Sequence, residues 1–227
     1  VSSGNSSNSP ITRRAQMDAV RAELARQDAR RIATLSEKIS NLIETNPRLA
    51  EFKAQIRLET TPDGLQIQIV DDQRRPMFDV GSVAVQPYMR EILRAIGNAL
   101  ADVDNKISID GHTDSSPYSS GQRGYSNWEL SADRANASRR ELVAGGMADD
   151  KLARITGMAS SKPLDTQNPL GPTNRRISIL VMTREAEERL LGGARTEVPA
   201  EPPAAGSTGP ATAPAAAAST PPSAPAR

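Results

Sequence analysis

The sequence predicts an α+β fold, a sandwich of βαβαββ order with a mixed sheet, preceded by a long N-terminal helix. Two observations lead to this prediction. Apolar residues recur with helical spacing in long segments and with a spacing of two in short ones. The two kinds of segment alternate along the chain, which favours strand–helix–strand crossovers with the helices on one face of the sheet.

The N-terminal segment predicts one long helix over residues 12–45 with a narrow apolar seam and charged flanks. The seam comprises Met17, Val20, Leu24, Ile32, Leu35, Ile39 and Leu42. Such a seam suits a partner helix and makes the segment a candidate dimer contact; the alternative is that it packs on its own domain. Asn46 and Pro47 predict a new helix start, as cap and first helical residue of a short helix over 47–55.

The rest of the folded part alternates between the two periods. Leu65, Ile67 and Ile69 predict a half-buried strand, entered from a Pro-Asp-Gly turn. Asn127 is the predicted cap of the second long helix, which ends at the glycine pair 145–146. Strands are predicted near 65–69, 107–109, 152–156 and 176–182, and helices over 87–103 and 127–145.

Composition excludes several classes of protein. The chain has 28 Lys and Arg residues against 27 Asp and Glu, which argues against a dedicated nucleic-acid binder. It has no cysteine and one histidine, which excludes disulfides, thiol catalysis and any site that needs two histidines. Six aromatic residues among 227 predict an aliphatic core, and no apolar run approaches the length needed to cross a bilayer.

The two ends differ from the middle in composition. Residues 1–10 are small and polar and predict a flexible leader. Residues 196–227 contain eight prolines and eleven alanines and predict a disordered tail. The predicted organisation is therefore a leader at 1–10, a helical linker or dimerisation segment at 11–60, a folded domain at 61–195 and the tail.

The densest polar cluster, Asp110 to Asp114, follows the second predicted strand, where binding and catalytic loops often lie. Asp110, His112 and Asp114 alternate and could face one metal ion, but a hydrolytic centre would need a stronger ligand set. A serine nucleophile lacks its Gly-x-Ser-x-Gly elbow, and no phosphate-binding glycine pattern is present. The favoured role of His112 is a hydrogen bond that positions the loop.

A binding site uses these residues better than a catalytic one. Asp114 could hold an ammonium group, and Arg134, on the following helix, could hold a carboxylate with its planar fork, which together suit a zwitterion. The alternative is an internal salt bridge between the two. Trp128 could be a ligand platform but is expected to pack. Of Arg175 and Arg176, one should point at the sheet end and the other to water.

Three motifs resemble the peptidoglycan-binding domain of the OmpA-like family. They are Gly111-His-Thr-Asp114, Asn127-x-x-Leu130-Ser131-x-x-Arg134-Ala135 and Asn174-Arg175-Arg176-Ile177, within about residues 79–182. The Phe78-Asp-Val-Gly81 lead-in and the long loop 115–126 resemble MotB-like stator proteins of the flagellar motor in particular.

The resemblance implies a non-catalytic domain that grips the cell-wall stem peptide. It implies that Asp114 and Arg134 bind the diaminopimelate group, that Thr113, Asn127 and Leu130 shape the pocket, and that Arg175 supports it.

No cofactor or metal is implied. The implied partners are peptidoglycan, a second copy of the chain in a homodimer, and a MotA-like channel subunit through a membrane segment. The implied location is the periplasmic region of an inner-membrane-anchored protein in a Gram-negative bacterium. An OmpA-like or Pal-like envelope tether is the alternative, and a hydrolase with a metal at His112 a more distant one.

Overall fold

The computed structural model describes residues 10–118 and 124–192. The strands are β1 (Ile56–Thr61), β2 (Gly64–Val70), β3 (Ile107–His112), β4 (Leu152–Gly157) and β5 (Arg176–Met182). The helices are α1 (Pro10–Thr45), α2 (Pro47–Ala50), α3 (Pro87–Leu100), α4 (Asn127–Ala144) and α5 (Arg184–Gly192). None of the described helices is both long enough and apolar enough to span a membrane.

One mixed sheet contains all five strands in the spatial order β1-β2-β5-β3-β4. β1 and β2 form an antiparallel hairpin, β5 pairs antiparallel with both β2 and β3, and β4 runs parallel to β3. The connection from β3 through α4 to β4 is therefore a crossover between parallel neighbours. These pairings confirm the predicted α+β class, the mixed sheet and the long N-terminal helix.

The sheet contains one strand that the sequence pattern did not predict. β1 lies in the segment 11–60 that the pattern assigned to the linker, and the short helix expected over 47–55 ends at Ala50, followed by a 3₁₀ turn at Lys53–Gln55. β1 is an edge strand whose residues are mostly exposed or half-buried, so it carries only a weak apolar alternation. Its position is fixed by pairing with β2, which local spacing does not reveal.

The core is aliphatic, as the composition predicts. Ile67, Ile109 and Ile179 of three adjacent strands are fully buried and pair across the centre of the sheet. α3 covers them with the face predicted from its spacing, where Met89, Ile92, Leu93, Ile96 and Leu100 are all at most 1 % exposed. Burying such side chains contributes about 1.5–3 kcal/mol each, so this layer contributes substantially to the stability of the domain.

The apolar seam of α1 divides into two halves. Ile32, Leu35 and Ile39 are buried in the domain core, as the own-domain alternative predicts. Met17 and Val20, on the N-terminal half, are 63 % and 60 % exposed. The dividing point lies near Asp28, whose carboxylate accepts the Arg184 N–H (2.9 Å) at the start of α5. The predicted leader, apart from Pro10 at the start of α1, and the predicted tail lie outside the described residues.

Candidate functional site

The polar cluster after β3 lies where three parts of the fold meet. Thr113 and Asp114 leave the sheet beside the start of α4 and the residues that enter β5. The Thr113 N–H donates to the Ala159 carbonyl (2.9 Å), and the Ser115 N–H donates to the Pro169 carbonyl (3.0 Å). These bonds fix the strand exit against the segment between β4 and β5, so that the Asp114 side chain has a defined direction.

Gly111 allows β3 to approach α4 closely just before the site. A Cβ atom at this position would lie 2.0 Å from the Ser131 carbonyl oxygen, a backbone atom that cannot swing aside. Only glycine therefore fits, and the glycine of the first motif sets the distance between the strand that leads to Asp114 and the helix that carries Arg134.

Asp114 is a nearly buried carboxylate with two partners. Its Oδ2 accepts a hydrogen bond from Arg175 Nη1 (2.8 Å), and its Oδ1 accepts the Ser116 N–H (2.9 Å). Burial works against ionisation, but the Arg175 and Ser116 hydrogen bonds outweigh it and hold the pKa of Asp114 below its ordinary value. Asp114 is therefore charged at neutral pH, and about a tenth of its side chain is exposed.

Arg175 bridges two carboxylates. Its Nε donates to Asp71 Oδ2 (2.7 Å), while Nη1 binds Asp114. The expectation that one of the two adjacent arginines points to water is wrong, because Arg176 is only 7 % exposed and donates to the Lys162 carbonyl (2.9 Å). Sequence reasoning also missed Asp71, although its place directly after β2 resembles the strand-end position of Asp114.

Arg134 is held by a different set of atoms. Its Nε donates to the Ser82 carbonyl (2.9 Å), its Nη2 donates to the Asp79 carbonyl (3.2 Å), and the guanidinium lies 4.9 Å from the centre of the Phe78 ring. Burial lowers its pKa below the ordinary arginine value, and the charges of Asp71 and Asp114 oppose that shift, so the group stays cationic.

The internal salt bridge between Asp114 and Arg134 is absent. Among the described residues Arg134 takes part in no ion pair, and the cation bound to Asp114 is Arg175. The internal salt bridge that sequence spacing offered as an alternative is therefore not formed. The carboxylate and the guanidinium lie near one another, each held by its own partners.

The remaining motif residues lie at the start of α4. The predicted cap is wrong by one residue: Ser126 is the N-cap, in a capping box with Glu129, and Asn127 is the first helical residue. Asn127 Nδ2 instead donates to the Ser116 carbonyl (2.8 Å), which ties α4 to the Asp114 turn. Leu130 is 4 % exposed beneath it. The structure thus links Asp114 to Arg175 directly and to Asn127 through Ser116, and the role of these residues in binding stays a prediction.

Trp128 differs from its expected role. Its side chain is 54 % exposed, so the expected packing role is not found, and the alternative role as a ligand platform stays a prediction. It lies on the first turn of α4, next to Asn127.

His112 is buried between cations. Burial, together with the charges of Arg176 and Lys162, lowers the pKa of His112 to about 3, so the ring is neutral at pH 7. Its Nδ1 has no hydrogen-bond partner in the described part of the chain, so the expected loop-positioning bond is not found at that atom. Over residues 10–118 and 124–192, no three His, Cys, Asp or Glu side chains come together as a metal site.

Known proteins resemble this chain in sequence and in fold. The OmpA family model matches residues 77–176, which contain the first two motifs and the third as far as Arg176. Motility protein B of Escherichia coli K12 is 49 % identical over 166 residues, which cover 73 % of this chain and 54 % of that protein. The chain thus spans about half the length of this curated relative.

A shorter relative and a solved structure extend the comparison. LafU of Escherichia coli K12, named as a truncated flagellar export/assembly protein, is 39 % identical over 70 % of this chain and 74 % of its own length. The crystal structure of a MotB-like protein from Desulfovibrio vulgaris has the same fold, with a TM-score of 0.58 at 20 % identity, over 71 % of this chain and 99 % of that one. The chain belongs to the family of LafU and is a homologue of motility protein B, and its residues 77–176 match the OmpA family.

Proposed function

We propose that this chain is the periplasmic, peptidoglycan-binding anchor of a flagellar motor stator, and that it holds the stator to the cell wall without catalysing a reaction. The flagellar motility named in the relatives supports the motor assignment. The OmpA-family match over the site supports a role at the cell wall. The bound group would be the diaminopimelate of the stem peptide, held by Asp114 and Arg134.

The observation that carries the proposal is the separate support of these two charges. Asp114 is held by Arg175 and Ser116, whereas Arg134 is held by backbone carbonyls and the Phe78 ring. Neither group neutralises the charge of the other. A carboxylate and a guanidinium that are neighbours but not paired with each other fit a ligand that carries an ammonium and a carboxylate on one carbon.

The bonding capacity that is left at each group matches such a ligand. A carboxylate has about four lone-pair sites, and the hydrogen bonds from Arg175 and Ser116 to Asp114 occupy at most three of them, which leaves an acceptor for an ammonium. The two described hydrogen bonds of Arg134 use Nε and Nη2, so a ligand carboxylate would meet the Nη1 side of the fork. Thr113, Asn127 and Leu130 would form the walls.

Affinity for a single stem peptide should be modest, because a small ligand buries little area. A homodimer would present two anchors and increase the hold on the wall by avidity. The exposed Met17 and Val20 on the N-terminal half of α1 support a contact with a second copy. A MotA-like channel subunit would be engaged through a membrane segment of the complete stator.

The alternative functions have less support. An OmpA-like or Pal-like tether would use the same wall-binding site, but the 49 % identity to motility protein B favours the motor. A hydrolase with a metal at His112 is disfavoured because Arg176 and Lys162 lie near enough to lower the histidine pKa and would repel a metal cation in the same way.

Co-sedimentation with purified, protein-free peptidoglycan sacculi tests the proposal. The chain should pellet with sacculi, and Asp114→Asn and Arg134→Lys should each weaken binding by about tenfold or more, since each loses a charge-assisted contact or its fork geometry. Arg140→Ala is the matched control, because Arg140 is an exposed arginine of the same helix and should bind as the wild type does.

Thermal unfolding of each variant separates a lost contact from a lost fold. The proposal fails if the folded wild-type chain does not pellet with sacculi, or if both site variants pellet as well as Arg140→Ala does. Metal analysis of the purified protein addresses the hydrolase: a stoichiometric bound ion would contradict a purely non-catalytic anchor.

A further inference from the structure

We propose that Asp71, which lies outside the three motifs, is the residue that positions both charged groups of the site, Asp114 and Arg134. The inference rests on the proposed function for its effect on binding, but not for its effect on the geometry of the two arginines. Asp71 lies 43 residues before Asp114 in the sequence, and neither the charge pattern nor the family motifs indicate a role for it.

The backbone of Asp71 is fixed by the sheet. The residue directly follows β2, and its N–H donates to the Arg175 carbonyl (2.9 Å), which continues the pairing of β2 with β5 beyond the end of both strands. The residue is 7 % exposed. Its carboxylate therefore starts from a rigid point and has little freedom to turn away.

One oxygen of Asp71 orients the support of Asp114. Asp71 Oδ2 accepts from Arg175 Nε, and the same guanidinium donates from Nη1 to Asp114. With Nε occupied, Arg175 presents one donor to Asp114. Without Asp71, the planar fork is free to turn both of its donors onto Asp114, which would neutralise the carboxylate proposed to receive the ligand ammonium.

The other oxygen holds the segment that supports Arg134. Asp71 Oδ1 accepts the Met77 N–H (2.5 Å), and the Met77 carbonyl in turn accepts the Gln86 N–H (3.0 Å). Between these two points the chain carries Phe78, whose ring lies under the Arg134 guanidinium.

The same segment provides the two carbonyls, of Asp79 and Ser82, that bind Arg134. Loss of the Met77 bond would thus loosen the ring and both acceptors together. The Asp71 carboxylate therefore connects the contacts that support Asp114 with those that support Arg134.

Burial raises the pKa of Asp71 above its ordinary value, even though Arg175 and Met77 donate to it. A carboxylate kept in an unfavourable environment is typical of groups that organise a site. If Asp71 only formed a local ion pair, its loss would affect Arg175 alone. If Asp71 positions the site, its loss should also affect Arg134, with which it shares no hydrogen bond.

Asp71→Asn, with Asp72→Asn as the matched control, tests the proposal. Asp72 is the exposed neighbouring carboxylate and contacts the backbone of its own turn through Arg74 N (2.8 Å). The readout is hydrogen exchange at the arginine Hε atoms by NMR. In Asp71→Asn, exchange at both Arg175 and Arg134 should quicken about tenfold or more, while Asp72→Asn should match the wild type.

Sacculus binding is the second readout. It should fall about tenfold in Asp71→Asn and stay unchanged in Asp72→Asn, as expected for loss of a charge-assisted hydrogen bond that orients the site. Unchanged exchange at Arg134, or undiminished binding, would overturn the inference. If the wild type itself fails to bind sacculi, the proposed function fails, and the exchange measurement still decides whether Asp71 orders the two arginines.

A variant that retains the charge covers the case in which Asp71→Asn does not fold. Asp71→Glu keeps the carboxylate but moves it by one methylene, so it should fold and still quicken exchange at Arg134. Wild-type exchange in that variant at both arginines would contradict a positioning role that depends on the exact reach of Asp71.

Discussion

Lowering the pH from 7 to 5 should destabilise the protein through its one histidine. The pKa of His112 is lowered to about 3 in the fold, whereas an unfolded histidine has a pKa of 6.5. Below pH 6.5 the unfolded chain therefore binds a proton that the folded chain does not bind until about pH 3. Since the unfolded state binds more protons in this window, stability falls as the pH falls through it.

The size of the effect follows from the two pKa values. A full proton of difference costs about 1.4 kcal/mol per pH unit, and integration from pH 7 to pH 5 gives about 2 kcal/mol of lost stability from His112 alone. This is a substantial fraction of the roughly 5–15 kcal/mol that stabilises a typical domain.

Urea denaturation at pH 7, 6 and 5 measures the effect, with His112→Gln beside the wild type. Subtracting the variant removes the contributions of carboxylates, which both chains share. The difference between wild type and variant should shift by about 2 kcal/mol across the range. Because the sequence has one histidine, the NMR signals of its ring protons can be followed against pH without overlap from other histidines. These signals should show no protonation of the ring down to pH 5. A stability difference that is constant within about 0.5 kcal/mol would refute the assignment of His112 as buried beside cations.

Three further predictions concern stability and are measured by urea denaturation. Gly111→Ala should cost about 3 kcal/mol, because its Cβ would collide with the Ser131 carbonyl; a cost under 1 kcal/mol would mean that α4 can move away freely. Ser126→Ala removes the acceptor of the Trp128 N–H and should cost about 1 kcal/mol, against no measurable cost for truncating the exposed Trp128 ring itself. Asn174→Ala should cost about 3 kcal/mol, because this buried amide accepts two backbone N–H groups and donates to two carbonyls of the segment between β4 and β5; wild-type stability would show that the segment holds itself.

The sequence predicted those parts of the fold that repeat locally. The alternation at Leu65, Ile67 and Ile69 and the apolar face of α3 both correspond to buried surfaces in the structure. β1 escaped prediction because an edge strand is half exposed and gains its position from its neighbour. In the sequence, Asp28, Arg30 and Arg31 interrupt the apolar seam of α1, but the spacing did not show that only the second half meets the core, since spacing defines a face but not what covers it.

The sequence indicates candidate site residues but not the atoms that hold them in place. Asp114 and Arg134 stand out as charges flanking one loop, but Arg175 and Asp71, which pair with one another, are 104 residues apart. The acceptors of Arg134 are backbone carbonyls, which every residue has, so no side-chain pattern can reveal them. Only the folded backbone brings these atoms together.

The spatial order of the strands also dictates when the site can form. β5 is last in sequence but lies at the centre of the sheet, between β2 and β3. Until β5 has been synthesised, β2 is paired only with β1 and β3 only with β4, and about a hundred residues separate β2 from the strand that joins the two pairs. Arg175 immediately precedes β5, so the guanidinium that holds Asp71 and Asp114 arrives with the strand that closes the sheet. Assembly of the sheet and of the charged site is therefore one event, and a chain cut before Arg175 should have neither.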